Sequence, residues 1–111
     1  DSSMATIGSI TGNFIDNSAT NPEDGSGGAI FNGENSQITN ITGDFISNSA
    51  KRGGAIYNKG TIANITGDFI GNSATTGIGY GGAIDNGDNA EITNITGDFI
   101  NNSANQIFIF E

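Results

Sequence analysis

The chain has 111 residues, of which 18 are glycine, one is proline and none is cysteine. Twelve acidic residues against three basic ones, Lys51, Arg52 and Lys59, give a net charge of −9. This charge leaves no cationic track for phosphates, so we expect no nucleic acid among the partners. The lack of cysteine excludes a disulfide framework and any cysteine-based metal or redox site. No apolar run is long enough to span a membrane.

The apolar residues are almost all Ile, Ala and Phe, while Leu, Val and Trp are absent. Abundant Gly, Asn, Ser and Thr favour turns and strand ends over helices. Regularly placed Ile residues interrupt the polar stretches, which is untypical of a disordered segment. The composition therefore predicts one ordered all-β domain over residues 1–111.

From the first residues onward the chain repeats itself. "SITGNFIDNSA" from Ser9 is followed by "ITNITGDFISNSA" from Ile38, "IANITGDFIGNSA" from Ile62 and "ITNITGDFINNSA" from Ile92. The Ile residues that begin successive repeat units, such as Ile38 and Ile46, are commonly eight positions apart, which fits one strand and one corner. Three such sides close a triangular coil, and stacked coils form a parallel β-solenoid. We expect about four coils of ~24–31 residues with three short strands each, at approximately 1–37, 38–61, 62–91 and 92–111.

Within each coil the units have the form Ile-x-Asn with a variable middle residue. Period-2 alternation predicts that Ile and Asn face the core while the middle residue faces outward. Stacking then forms columns of like residues, in which Asn amides donate to one another. The predicted core columns are Ile38, Ile62 and Ile92; Ile46, Ile70 and Ile100; Ile30, Ile56 and Ile84; Asn48, Asn72 and Asn102; and Asn32, Asn58 and Asn86.

A row of phenylalanines leaves one question open, because Ile41, Phe45 and Ile46 cannot all face inward on a straight strand. A bend at residues 43–44 is required. We expect Ile41 and Phe45 to fill the corner of the core. The alternative leaves the row outside as an apolar stripe on the surface. The row consists of Phe14, Phe45, Phe69 and Phe99.

Two tetrapeptides alternate along most of the chain. "GGAI" occurs three times, and "FIDN", "FISN", "FIGN" and "FINN" are four copies of FxxN. This alternation resembles the repeats of the chlamydial polymorphic outer-membrane proteins and related autotransporter passengers. The resemblance implies a right-handed β-helix at the surface of a bacterium, exported with loss of a signal peptide, in an adhesive or structural role.

Neither end of the chain has the atypical polar repeat that usually caps a monomeric solenoid. We expect the ends to stack on each other head to tail and to form an extracellular filament, with the chain itself as partner. The alternative is a fragment of a longer surface adhesin or passenger, whose host or surface ligand the sequence does not identify. The residues assigned to self-assembly are Ile7, Ile10, Ile107, Phe108, Ile109 and Phe110.

Acidic residues at one repeated position are the candidates for a metal. Asp44, Asp68 and Asp98 would stack as a carboxylate row, which either backbone N–H groups or Ca²⁺ must offset. We favour the backbone groups, because Asn13 occupies the same position without a charge. No other cofactor is expected.

The sequence lacks His and Cys, so we expect no catalytic site and no enzyme. An ice-binding or polysaccharide-active β-helix is the least supported alternative. It would rest on an outward row of threonines or on paired carboxylates. The threonines are Thr11, Thr42, Thr66 and Thr96.

Overall fold

The computed structural model describes residues 5–19, 21, 25–75 and 79–104. These residues form fifteen strands and no helix, so none of the described residues belongs to a helix that could cross a membrane. The strands are β1 (Thr6–Thr11), β2 (Phe14–Ile15), β3 (Ser18–Ala19), β4 (Ile30–Asn32), β5 (Gln37–Thr42), β6 (Phe45–Ile46), β7 (Ser49–Ala50), β8 (Ile56–Asn58), β9 (Thr61–Thr66), β10 (Phe69–Ile70), β11 (Ser73–Ala74), β12 (Ile84–Asn86), β13 (Glu91–Thr96), β14 (Phe99–Ile100) and β15 (Ser103–Ala104).

All strands pair in parallel with the equivalent strands of the coils before and after. The sheet orders are β1-β5-β9-β13, β2-β6-β10-β14, β3-β7-β11-β15 and β4-β8-β12. Ile38 pairs with Ile7 on one side and Ile62 on the other, and Ile62 pairs with Ile92. The predicted all-β parallel solenoid is therefore confirmed.

The number of coils is slightly smaller than predicted. Three coils are complete, and the fourth is described only as far as β15, because the β4-β8-β12 sheet has three strands while the other sheets have four. Residues 105–111 lie outside the described part of the chain.

The first two strands of each coil form one bent wall. Between β5 and β6 the hydrogen bonds to the next coil continue without a gap, from Gly43 N to Thr66 O at 2.9 Å and from Phe45 N to Asp68 O at 2.8 Å. Each coil thus has three walls: the bent first wall, the short β3-type strand and the β4-type strand.

The bend depends on glycine. Gly67 has φ 149°, and a Cβ built on it would overlap the carbonyl oxygen of Gly43 in the coil below. Gly43 and Gly97 repeat this geometry against Gly12 and Gly67. Because only glycine allows such a close approach at this φ, the bend is specified by the sequence.

The phenylalanines fill the core, as expected from the bend. Phe45 and Phe69 are fully buried, and the rings of Phe14, Phe45, Phe69 and Phe99 stack with centroids 4.7–4.8 Å apart and nearly parallel planes. Ile41 and Ile65 are buried beside them. The alternative of an outer phenylalanine stripe is wrong.

The neighbouring isoleucine column was assigned to the core incorrectly. Ile46 and Ile70 stack in register, but they are only partly buried, and Ile100 is exposed. Alternation places them on the opposite side of the wall from the phenylalanines. The following residue, Ser47 in the second coil, has φ 58° and turns the corner, so Ile46 and Asn48 do not share a face.

Candidate functional site

A buried column of asparagines lies directly after this corner. Asn72 donates from Nδ2 to Asn102 Oδ1 at 2.9 Å and to the carbonyl oxygen of Phe45 at 3.0 Å. Its Oδ1 accepts from the backbone N and the Nδ2 of Asn48, at 2.9 and 3.0 Å. Asn48 and Asn72 are completely buried. Their amides therefore satisfy one another and the backbone of the corner.

A second asparagine column runs along the third wall. Asn32 donates to Asn58 Oδ1 at 2.8 Å, and Asn58 donates to Asn86 Oδ1 at 2.9 Å. Asn58 also bridges the turn that follows it, because Nδ2 donates to the carbonyl oxygen of Gly60 and Oδ1 accepts from the backbone N of Gly60. The predicted asparagine ladder is confirmed.

The carboxylates of the aspartate row accept hydrogen bonds from the backbone. The N–H of Asp68 donates to Asp44 Oδ1 and that of Asp98 donates to Asp68 Oδ1, both at 2.9 Å, while Asp44 donates to the amide oxygen of Asn13 at 3.0 Å. The side chains of Asn13, Asp44 and Asp68 thus each accept a hydrogen bond from the backbone of the following coil. Within the described residues no cluster of three or more potential metal ligands occurs. The backbone N–H groups favoured from the sequence are thus among the partners of the row, and calcium stays the untested alternative.

The last described coil exposes side chains whose equivalents are buried one coil below. Ile95 is 40% and Phe99 50% exposed, whereas Ile65 and Phe69 are at most 1% exposed. At the opposite end Ile7 is 46% exposed and Ile10 is partly buried. The two end surfaces therefore present one apolar layer each. The other residues assigned to self-assembly, Ile107, Phe108, Ile109 and Phe110, lie outside the described residues.

The outer face of the third wall carries a group of side chains that the sequence analysis did not bring together. Arg52 Nη1 lies 3.7 Å from Asp85 Oδ2, an ion-pair distance that is too long for a hydrogen bond. The Arg52 guanidinium also lies over the Tyr80 ring, 4.6 Å from its centroid. Burial raises the pKa of the Asp85 carboxyl above its usual range, although the positive charge of Arg52 opposes the shift.

The comparison with known proteins supports the resemblance that was drawn from the two alternating tetrapeptides. The family model of the Chlamydia polymorphic membrane protein repeat matches residues 10–33 and 37–59, which lie in the first two coils. These two segments of the chain are therefore similar to the polymorphic membrane protein repeat. No curated protein and no solved structure shows significant similarity to the chain.

The structure explains what the two tetrapeptides of this repeat contribute to the fold. In "FISN", the phenylalanine enters the buried ring column and the asparagine enters the ladder. In "GGAI", Gly53 has φ 65° and Gly54 lies against the backbone of the next coil, where a Cβ would overlap Gly82 O. The repeat is thus a structural unit of the solenoid.

Proposed function

We propose that the chain is a structural surface protein whose solenoid lengthens when the open end of one copy stacks on the opposite end of another. The observation that carries this proposal is the exposed layer at each end. Ile95 and Phe99 are about half-covered, although the same positions one coil below are buried. A role as a scaffold is also in keeping with the polymorphic membrane protein repeat.

The two end surfaces are complementary at the level of single columns. Phe14 of a second copy would continue the ring column above Phe99 at the 4.8 Å spacing seen within the chain. Within the chain, each ladder asparagine donates to Oδ1 of the asparagine in the following coil, as Asn17 does to Asn48. By the same geometry Asn102 would donate to Asn17 of the next copy. Such a contact is heterologous and does not close, so it produces filaments.

The free energy of the contact depends on a narrow balance. About five large apolar side chains, each roughly half exposed, would contribute on the order of 4–8 kcal/mol. Association costs about 4–15 kcal/mol, so the backbone and asparagine hydrogen bonds must supply the remainder. The net charge of −9 on each copy opposes association, and salt screens it. Filaments should therefore form at high protein concentration and at elevated ionic strength.

Two end variants test the direction of assembly. Phe99→Asp should block one end and Phe14→Asp the other, so each variant alone stays monomeric in sedimentation and in negative-stain electron microscopy. A mixture of the two should form complexes of two chains, because one unblocked end of each kind remains. Thr66→Asp, on the exposed face of the first wall, is the matched control and should still form filaments. Monomeric wild-type protein at high concentration and high salt would contradict the proposal.

A second candidate is favoured by the family match. Repeats of the polymorphic membrane protein type would equally suit a segment of a longer surface passenger, in which coils of the same polypeptide cover the two end layers. Wild-type protein that stays monomeric under all conditions, yet gains thermal stability when one further consensus coil is fused after residue 111, would favour this candidate. In either case the solenoid presents its corners and outer walls to other molecules.

A further inference from the structure

The outward residues of the third wall form a column that is aromatic in the first two coils and acidic in the third. Phe31 pairs with Tyr57, and Tyr57 pairs with Asp85 in the next coil. The rings of Phe31 and Tyr57 stack with centroids 5.5 Å apart and planes 14° apart. At the third coil a carboxylate takes the place of a ring. The aromatic stack therefore ends at Tyr57, with one of its faces directed toward the coil of Asp85.

A cleft of about 300 Å³ lies where the stack ends, lined by Arg52, Tyr57, Tyr80 and residues 85–88. This volume is at the lower end of the range for small-molecule sites. Gly87 keeps the cleft open beside the ring, because a Cβ built there would lie 3.6 Å from Cε1 of Tyr57. The cleft thus has an aromatic wall, and charged groups lie around it.

The polar groups of the cleft are not fully paired with one another. Asp85 Oδ2 is buried and accepts no hydrogen bond from the described residues. Its nearest cationic group, Arg52 Nη1, is 3.7 Å away. A buried acceptor without a donor is costly, so a ligand that donates a hydrogen bond here would be favoured. Arg52 adds N–H donors close to the same oxygen.

We propose that this cleft binds one ring of an uncharged pyranoside, stacked on Tyr57 in the place where the aromatic column stops. The C–H face of the sugar would contact the electron-rich face of the ring. Its hydroxyl groups would donate to Asp85 Oδ2 and accept from Arg52. An anionic ligand is disfavoured, because Arg52 is already paired with Asp85, and Asp88 adds a second negative charge at the cleft.

Saturation-transfer difference NMR on the monomeric, dilute protein tests this proposal independently of filament assembly. The probes are lactose, cellobiose and N,N′-diacetylchitobiose, with methyl β-D-glucuronide as the charged counterpart. We expect at least one neutral disaccharide to receive saturation on the protons of one ring face, and methyl β-D-glucuronide to receive at least tenfold less. No transfer to any of the three neutral disaccharides would overturn the proposal.

Variants locate the binding site. Tyr57→Leu removes the stacking face, and Asp85→Tyr would extend the aromatic column into the space assigned to the sugar. Each should weaken the signal at least tenfold while the circular dichroism spectrum is retained. Phe31→Leu removes a ring from the same column one coil farther away and should retain the signal. Equal signals in Asp85→Tyr and wild type, or loss of the signal in Phe31→Leu but not in Tyr57→Leu, would place the sugar elsewhere and refute the site.

Discussion

Replacement of Asn72 by alanine should cost more stability than the same replacement at a partly buried asparagine of the same coil. Asn72 is fully buried, and its side chain takes part in four hydrogen bonds of 2.9–3.0 Å. At about 0.5–1.5 kcal/mol each, their loss amounts to about 2–6 kcal/mol. The upper half of this range is expected, because the partner groups on Asn48 and Phe45 would stay buried without a partner.

The matched control is Asn64→Ala. Asn64 also belongs to an amide row, with bonds of 3.0 Å to Asn40 and Asn94, but this row is only partly buried and water can replace the lost partners. Its cost should be about 0–1 kcal/mol. Urea unfolding followed by circular dichroism measures both, against a total stability of about 6–17 kcal/mol for a chain of this size. An Asn72→Ala variant no less stable than Asn64→Ala would refute the assignment of stability to the buried ladder.

Three further predictions concern the first wall and the outer cluster. Gly67→Ala should prevent folding or cost more than about 3 kcal/mol in urea unfolding, since the added Cβ overlaps Gly43 O at a φ that alanine avoids. Ala63→Gly, on the preceding strand β9, should cost about 1 kcal/mol or less, and equal effects would contradict the close approach. Asp68→Asn keeps the Oδ1 acceptor and removes a charge from the aspartate row, so it should leave the free energy of unfolding unchanged or raise it by about 1 kcal/mol. The melting temperature of the wild-type protein should not change when EDTA is added, and a fall would instead indicate a bound cation. Burial raises the pKa of Asp85 in the folded state, so the contribution of this carboxyl group to stability falls as pH rises from its unfolded pKa through its folded pKa. The free energy of unfolding of Asp85→Asn, measured relative to wild type in urea titrations, should therefore increase between pH 3 and pH 7. A constant difference would contradict the pKa shift.

Much of the fold could be predicted from the sequence because the chain carries its own internal alignment. Positions that repeat in every coil, such as Ile38 and Ile62, must stack, and the paired glycines and asparagines indicate the corners. The bend at Gly43 was predicted for the same reason, since Ile41 and Phe45 could not otherwise both be buried.

The facing of Ile46 was predicted wrongly because the alternation of a strand was extended through a corner. A signal was present in the sequence. The four residues at this corner are Asp16, Ser47, Gly71 and Asn101, all types common in turns, and the three non-glycine ones here have φ between 56° and 60°. Their variability resembles that of an outward strand position, but the preference of all four residue types for turns indicates a corner.

The outer cluster could not be predicted from the repeat, because it consists of the positions where the coils differ. Tyr57 and Asp85 are equivalent residues of successive coils, whereas Arg52 and Tyr80 come from connections of unequal length. Their meeting depends on the stacking register and on side-chain packing between unlike coils. The positions that the coils share do not indicate which of the differing side chains will lie next to one another.

The uniform stacking also makes the size of the protein adjustable in steps. Each coil raises the ring column by 4.7–4.8 Å and contacts only the coils directly above and below it. Duplication or deletion of one repeat in the gene would therefore change how far the protein extends without requiring any other residue to adapt. A lineage could tune the length of such a solenoid by recombination alone, while the outer positions diversify separately in each coil.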